Sequence, residues 1–192
     1  MKYSLRFLQQ FFLNPGTTGA IAPSSRALAR EMVAWLEFDR ANAVVEYGPG
    51  TGAFTEAVLA NLRRQCSFFL IEVNPLFVQL LQVSYPGTVI YKDSVKDVRQ
   101  LCDREGITHV DCIVSGLPWA SFPDAMQTQC LDAMMTVLRP GGQFVTFAYV
   151  HGLLLPNGQR FRRKLGNYFS QVTRSRTVWM NLPPAFVYRC RC

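Results

Sequence analysis

Ala43-Val-Val-Glu46-Tyr47-Gly48-Pro49-Gly50-Thr51-Gly52-Ala53 is the stretch that decides the fold of this chain. A short apolar run, Ala43 to Tyr47, ends in a loop of alternating glycines, and a helix follows. Glycines let the backbone approach a ligand closely and adopt positive φ. Between a strand and a helix, this spacing is a nucleotide-type loop and fits the pattern G-x-G-x-x-A. Alone it is a weak signal, and its surroundings carry the reading.

Downstream the chain alternates. The pattern predicts a helix over 53–65, a strand over Ser67 to Val73, and a helix from Pro75, a favoured first helical residue, to Ser84. A strand over Thr88 to Lys92, a helix over 95–105 and a strand over Val110 to Ser115 follow. A loop with Pro118 and Pro123 leads to a helix over 124–137, and Pro140-Gly141-Gly142 turns into a strand over 143–150. Successive strand–helix units predict a parallel sheet with helices on both faces. Residues 151–170 interrupt the pattern. Gln171 to Met180 and Ala185 to Cys190, separated by Asn181-Leu-Pro-Pro184, predict an antiparallel hairpin. Upstream, Leu5, Leu8, Phe11 and Phe12 share one face of a helix over 2–13, a loop covers 14–23, and Ser24 or Ser25 can cap a helix over 25–37.

The 192 residues suit one domain. Within it we read N-terminal membrane or lid helices over 1–37 and a ligand-binding core over 40–150. A basic amphipathic insertion covers 151–170, and the terminal hairpin covers 171–192. Hydrophobic residues are 49% and charged residues 17%, which excludes a disordered tail or a coiled coil. No apolar run reaches the ~18 residues needed to span a bilayer. Lys2 and Arg6 precede apolar residues, but Gln9, Gln10 and Asn14 interrupt the stretch, against a signal peptide. The six cysteines show no metal-finger spacing, and four lie inside apolar or helical stretches, as buried thiols do in a reducing cytosol. No metal is expected.

Net charge is +7 and unevenly spread. Residues 133–192 hold 9 Lys/Arg and no acid, the last being Asp132. That predicts a polyanionic partner, nucleic acid or an anionic membrane surface.

Acids cluster near the glycine loop. Glu72 ends the second strand, 20 residues after Gly52, where a carboxylate can accept hydrogen bonds from ribose hydroxyls. Asp93, in Lys92-Asp93-Ser94, ends the third strand, and Glu46 precedes the loop. Such acids would repel a pyrophosphate and suit a cation, such as the sulfonium and ammonium of S-adenosylmethionine.

This set, with Leu138-Arg-Pro-Gly-Gly142 before the fifth strand, resembles the class I S-adenosylmethionine-dependent methyltransferases over about residues 40–192. The resemblance implies a Rossmann-like α/β fold with a seven-stranded, mostly parallel sheet. It also implies a cofactor site drawn from Glu46, Gly48, Gly50, Thr51, Gly52, Glu72, Val73, Asp93, Ser94 and Ser115. Ser115-Gly116-Leu117-Pro118-Trp119 occupies the place of the acceptor-binding tetrapeptide of amino-methylating families. Gly116 departs from the Asn-type residue of the ribosomal RNA adenine dimethyltransferases, removing a side-chain acceptor for an adenine amine. These five residues and Tyr149 are the candidate catalytic set, with Trp119 in the aromatic role. His151 follows at the same edge.

Phe11-Phe12-Leu13-Asn14-Pro15, Thr18-Gly19-Ala20-Ile21-Ala22-Pro23-Ser24-Ser25 and Asn181-Leu-Pro-Pro-Ala-Phe-Val-Tyr-Arg189 look like the start and end of the soluble, Rhodobacter-type bacterial phospholipid N-methyltransferases. That resemblance implies methylation of phosphatidylethanolamine towards phosphatidylcholine, with Gly19 and Ile21 over the methionine part of the cofactor. Lys2, Arg6, Phe11 and Phe12, with Arg160, Arg162, Arg163 and Lys164, supply two amphipathic basic segments for an anionic membrane. The expectation is a cytoplasmic monomer, peripheral on the inner face of the membrane, with nucleic acid not a partner. Three alternatives stay open: an RNA adenine methyltransferase, a methyltransferase of another aminolipid such as ornithine lipid, and a non-catalytic membrane or RNA binder.

Overall fold

The computed structural model describes residues 24–192. The readings placed on Lys2, Arg6, Phe11, Phe12, Gly19 and Ile21 lie outside these residues. Seven strands form one sheet: β1 (Ala43–Tyr47), β2 (Ser67–Ile71), β3 (Val89–Tyr91), β4 (Val110–Ser115), β5 (Leu138–Tyr149), β6 (Gln171–Arg174) and β7 (Ala185–Arg191). Their order is β3-β2-β1-β4-β5-β7-β6. The first five pair in parallel, and β7 runs antiparallel between β5 and β6.

The helices are α1 (Arg26–Val33), α2 (Thr55–Leu59), α3 (Pro75–Ser84), α4 (Val98–Arg104), α5 (Asp124–Met135) and α6 (Pro156–Tyr168). They cover both faces, so β1 and β4 are buried along their full length and read as mostly apolar runs, interrupted by Glu46 and Asp111. One buried cluster joins Val45, Tyr47 and Ile113 to Phe144, Phe161 and Leu165. The other joins Val44, Val114 and Val145 to Leu28 and Met32 of α1.

Local chemistry sets the boundaries. Ser25 caps α1 by accepting the Leu28 N–H at 3.2 Å, and Asn74 caps α3 by accepting the Leu76 N–H at 2.9 Å. The helix expected over 53–65 contracts to α2. Its polar continuation leaves the helix, and the Arg63 guanidinium donates to the Ala41 carbonyl at 2.8 Å. β5 starts at Leu138 rather than 143. The Pro-Gly-Gly segment lies inside it because Gly141 N–H and Gly142 C=O pair with Cys192 at 3.1 and 3.0 Å. β6 stops at Arg174 rather than Met180. The Ser175 hydroxyl accepts the Val187 N–H at 2.9 Å and breaks the ladder.

The basic last third is partly neutralised from within. Arg139 pairs with Asp111, Lys164 with Asp124, Arg189 with Glu31 and Arg191 with Glu37. The last two pairs fasten α1 and the turn after it to β7. Arg160, Arg162, Arg163, Arg174 and Arg176 remain exposed, with no ion pair among the described residues. Cys102, Cys112 and Cys130 are buried, and burial pushes their thiols up to about 11, 12 and 11. That keeps them protonated and unreactive.

Candidate active site

The carboxyl ends of β1, β2, β4 and β5 meet at the glycine loop. Gly48, Gly50 and Gly52 all have positive φ, at 62°, 58° and 86°. The left-handed conformation turns Gly50 so that its N–H donates to the Glu72 carboxylate at 3.0 Å. The other Glu72 oxygen accepts the Asn74 N–H at 2.9 Å. Burial raises the Glu72 pKa, and the N–H groups of Asn74, Gly50 and Val73 oppose that rise. Each carboxylate oxygen keeps a lone pair for a ligand hydroxyl. Asp93 lies half-buried beyond β3, accepting the Ser94 N–H at 2.8 Å.

Glu46 lies beneath the loop, fully buried, with neither oxygen hydrogen-bonded among the described residues. Desolvation pushes its pKa up to about 8; the neighbouring Thr55 hydroxyl opposes the rise, and the Glu72 charge adds to it. A buried carboxyl without a partner is unfavourable unless it is protonated or meets a cation. Its folded pKa lies above the unfolded value near 4.5, so it contributes stability below that value and loses it as pH rises through about 8. We expect Glu46→Gln to remove this loss. Without ligand, its Tm should exceed the wild type's near pH 8 and match it near pH 4, to within about a degree, as read by scanning calorimetry across pH.

In front of the loop lies a cavity of about 420 Å³. Its walls are Gly48 to Thr51, Gly116 to Ser121, Phe147 to Tyr149, and residues of α6 and β7. Of the residues singled out in the sequence, Gly48, Gly50, Thr51, Gly116, Leu117, Pro118, Trp119, Tyr149 and His151 reach this wall. Gly52 packs under Tyr85, whose hydroxyl donates to the Gly52 carbonyl at 3.0 Å. Gly116 touches the loop itself: a Cβ there would lie 2.5 Å from the Gly48 carbonyl oxygen. No larger residue of the Asn type fits without moving the glycine loop.

Three of the residues singled out in the sequence are engaged within the protein itself. Ser115 does not reach the cavity wall. Its buried hydroxyl accepts from Trp119 Nε1 at 3.1 Å and from the Leu117 N–H at 3.3 Å, so it braces the acceptor strip. Trp119 borders the cavity but is only 2% exposed, one face stacked on Phe161 at 4.6 Å. Lys164 is withdrawn from the basic cluster, bound to Asp124 and Thr128 of α5. The apolar face of α6, Phe161 and Leu165, is core as well. Only its arginine face is free to meet a surface.

Sequence reasoning missed Phe161 and Tyr188 on the cavity wall, and Gln127 behind it. Gln127 is buried and donates to the carbonyls of Trp119 at 2.9 Å and Asn157 at 3.1 Å. It ties the acceptor strip to the start of α6. An amide in a helix of alternating polarity gave no signal of this.

An open glycine cradle, a carboxylate with lone pairs to spare and an orphaned buried acid fit a cationic nucleoside cofactor. With the strand order above, they define a class I S-adenosylmethionine-dependent methyltransferase. No family model matches the chain. Its fold is that of an O-methyltransferase from Bacillus cereus solved with SAH, with a TM-score of 0.70 at 13% identity over 97% of this chain and 91% of that one. A Burkholderia thailandensis 1,6-didemethyltoxoflavin-N1-methyltransferase gives 0.65 at 17% identity over 99% and 88%. An ornithine lipid N-methyltransferase of Singulisphaera acidiphila is 32% identical over 194 aligned positions, covering 100% of this chain and 97% of that protein. The chain belongs to the family of this lipid N-methyltransferase.

Glu72→Ala should leave the ribose hydroxyls and two loop N–H groups without an acceptor. At about 1–3 kcal/mol for such a loss, S-adenosylmethionine affinity should fall roughly ten- to a hundredfold. Isothermal calorimetry reads this directly, and unchanged affinity would remove Glu72 from the cofactor site.

Proposed function

We propose that this chain methylates the terminal amine of a membrane aminolipid, with ornithine lipid as the acceptor. The observation that carries this reading is the full-length similarity to an ornithine lipid N-methyltransferase. Phosphatidylethanolamine, first in the sequence reading, becomes the competing acceptor. The wall suits the amine arm of either lipid. It carries Phe, Tyr, Trp and Leu side chains with Ser24, Thr51, Ser121 and His151 among them, and no Lys or Arg lines it among the described residues. Ornithine lipid carries its amine on an unbranched three-methylene arm, which sets its carboxylate one bond further from the amine than the phosphate of phosphatidylethanolamine.

Bound S-adenosylmethionine supplies an electrophilic methyl on a sulfonium. The chain's own residues align and desolvate, which is where most of the acceleration of such a transfer arises. The Gly116–Trp119 strip and Tyr149 border the path of the amine. Tyr149 stacks on His151 at 5.5 Å and packs edge-on to Phe147 at 5.3 Å, which holds its ring in place. The aromatic wall favours a methylated ammonium by cation–π attraction, about 0.5–2 kcal/mol. The glycine loop and Glu72 would hold S-adenosylmethionine, whose sulfonium would donate the methyl and leave as the neutral thioether; the amine would attack in its neutral form and its proton would pass to solvent. Gly116, which supplies no side-chain acceptor, supports a lipid amine over an adenine.

Purified protein, S-adenosylmethionine and mixed micelles of ornithine lipid, phosphatidylethanolamine or an RNA oligonucleotide test this by mass spectrometry. Mass gains in methyl steps on ornithine lipid are expected. Methylation of phosphatidylethanolamine alone would restore the first acceptor, and methylation of RNA alone would overturn the lipid reading.

A further inference from the structure

We infer that the turn over 179–184 and the segment over 150–155 form a bilayer-insertion surface at the mouth of the cavity, one that seats the protein on anionic lipid. This rests on the lipid reading of the site and assigns the surface through which the substrate is reached.

Four large apolar side chains project there: Leu154 is 80% exposed, Trp179 72%, Met180 82% and Leu182 74%. A mobile loop would explain little, but this turn is pinned. Asn181 is buried, donating from Nδ2 to the Pro183 carbonyl at 2.8 Å and accepting the Ser25 N–H at 2.9 Å. The Val178 N–H donates to the Ala185 carbonyl at 2.7 Å, and the Val150 N–H to the Pro184 carbonyl at 2.9 Å. The backbone therefore turns its polar residue inward and its apolar neighbours outward. Three large apolar residues held into water in this way mark an interaction surface.

Its position points to the partner. Val150, Leu154, Trp179 and Pro184 line a depression that shares His151 and Leu153 with the cavity wall. A lipid entering the cavity from this side passes over the patch. Charge complementarity selects an anionic bilayer. The segment bearing Trp179 also carries Arg174 and Arg176, and the one bearing Leu154 continues into Arg160, Arg162 and Arg163. All are exposed and without ion pairs among the described residues. Apolar insertion together with basic residues on the same two chain segments supplies the two signals that stable attachment needs. A tryptophan at this level suits the bilayer interface, where its ring is buried and its N–H stays wet.

The test uses phosphatidylcholine vesicles with and without phosphatidylglycerol, and no aminolipid, so that binding is independent of methyl transfer. The full chain should bind the anionic vesicles, and the triple variant Trp179→Ser, Met180→Ser, Leu182→Ser should bind about tenfold more weakly or worse. The variant should keep its S-adenosylmethionine affinity and melting curve. Brominated acyl chains should quench wild-type tryptophan emission, and Trp179→Phe should abolish that quenching while retaining binding. Undiminished vesicle binding by the triple variant overturns the inference. So does a lipid-free dimer that the triple variant dissociates without loss of vesicle binding, which would make the patch a contact between copies. Vesicle binding that needs the patch, in a protein that methylates no lipid, would sink the lipid activity and leave the surface standing.

Discussion

Trp119→Ala should lose about 3–5 kcal/mol of folding stability, the range for deleting a large buried aromatic. The indole stacks on Phe161, packs edge-on against Phe144 at 6.1 Å and donates its N–H to Ser115. Removing it would open a void between β4, β5 and α6 and leave a buried hydroxyl short of a donor. For a domain of this size, such a loss lowers Tm by roughly 10 °C or more. Trp119→Phe keeps an aromatic ring against Phe161 but loses the N–H and part of the indole's buried volume, so it should cost less, about 1–3 kcal/mol. Thermal melts of both variants, taken with cofactor binding at a temperature where each is folded, separate packing from chemistry. A Trp119→Ala protein that melts like the wild type but turns over slowly would return this ring to direct contact with the acceptor.

Gly116→Ala should reduce turnover by about a hundredfold or more. The added Cβ meets the Gly48 carbonyl oxygen at 2.5 Å, and that neighbour is backbone, with no rotamer to move into. Either the acceptor strip or the glycine loop must shift. The Gly116 N–H is also tied to the Tyr47 carbonyl at 2.8 Å, so the two move together. A displacement of about 1 Å between donor and acceptor groups is enough for a hundredfold loss. Gly166→Ala on α6 is the matched control, since a Cβ there meets nothing within 4 Å. It should leave activity unchanged. Single-turnover methyl transfer by both variants decides whether this contact governs the reaction, and a normal rate in Gly116→Ala would show that the loop yields.

Much of this arrangement was legible before any coordinates. β1, β4 and α3 fall where the sequence places them, because these central parallel strands are mostly apolar, with only Glu46, Asp111 and Ser115 interrupting them, and α3 is bracketed by Asn74-Pro75 and Pro86-Gly87. The glycine loop and Glu72 were legible for a related reason: their chemistry is local, set by residues within one strand–loop–helix unit and the strand beside it. The far wall of the cavity was not. Phe161 and Tyr188 arrive there through the register of β7 on β5, where Thr146 faces Tyr188, and through the packing of α6 on the Trp119 strip. No local pattern encodes either. The segment over 151–170 looked free to lie on a membrane because amphipathicity does not say what the apolar face meets; here it meets the core. Trp179 and Met180 were hidden by reading one strand through to Met180, when the Ser175 hydroxyl ends it four residues after it begins.

The placement of β7 has a consequence for how the protein is made. Translation delivers β5 and then β6, yet these two never pair with each other; the gap between them is filled by the strand that emerges after both. Until then the growing polypeptide shows two open strand edges, one of them on the apolar run Phe144 to Tyr149. Such edges template pairing between neighbouring nascent chains. The arginines of β7 reach Glu31 and Glu37, residues synthesised long before. Insertion of β7 thus closes the sheet and anchors the earliest described helix in the same event. A chain truncated after Arg174 should therefore be sticky and protease-sensitive, whereas the chain that carries β7 should be resistant.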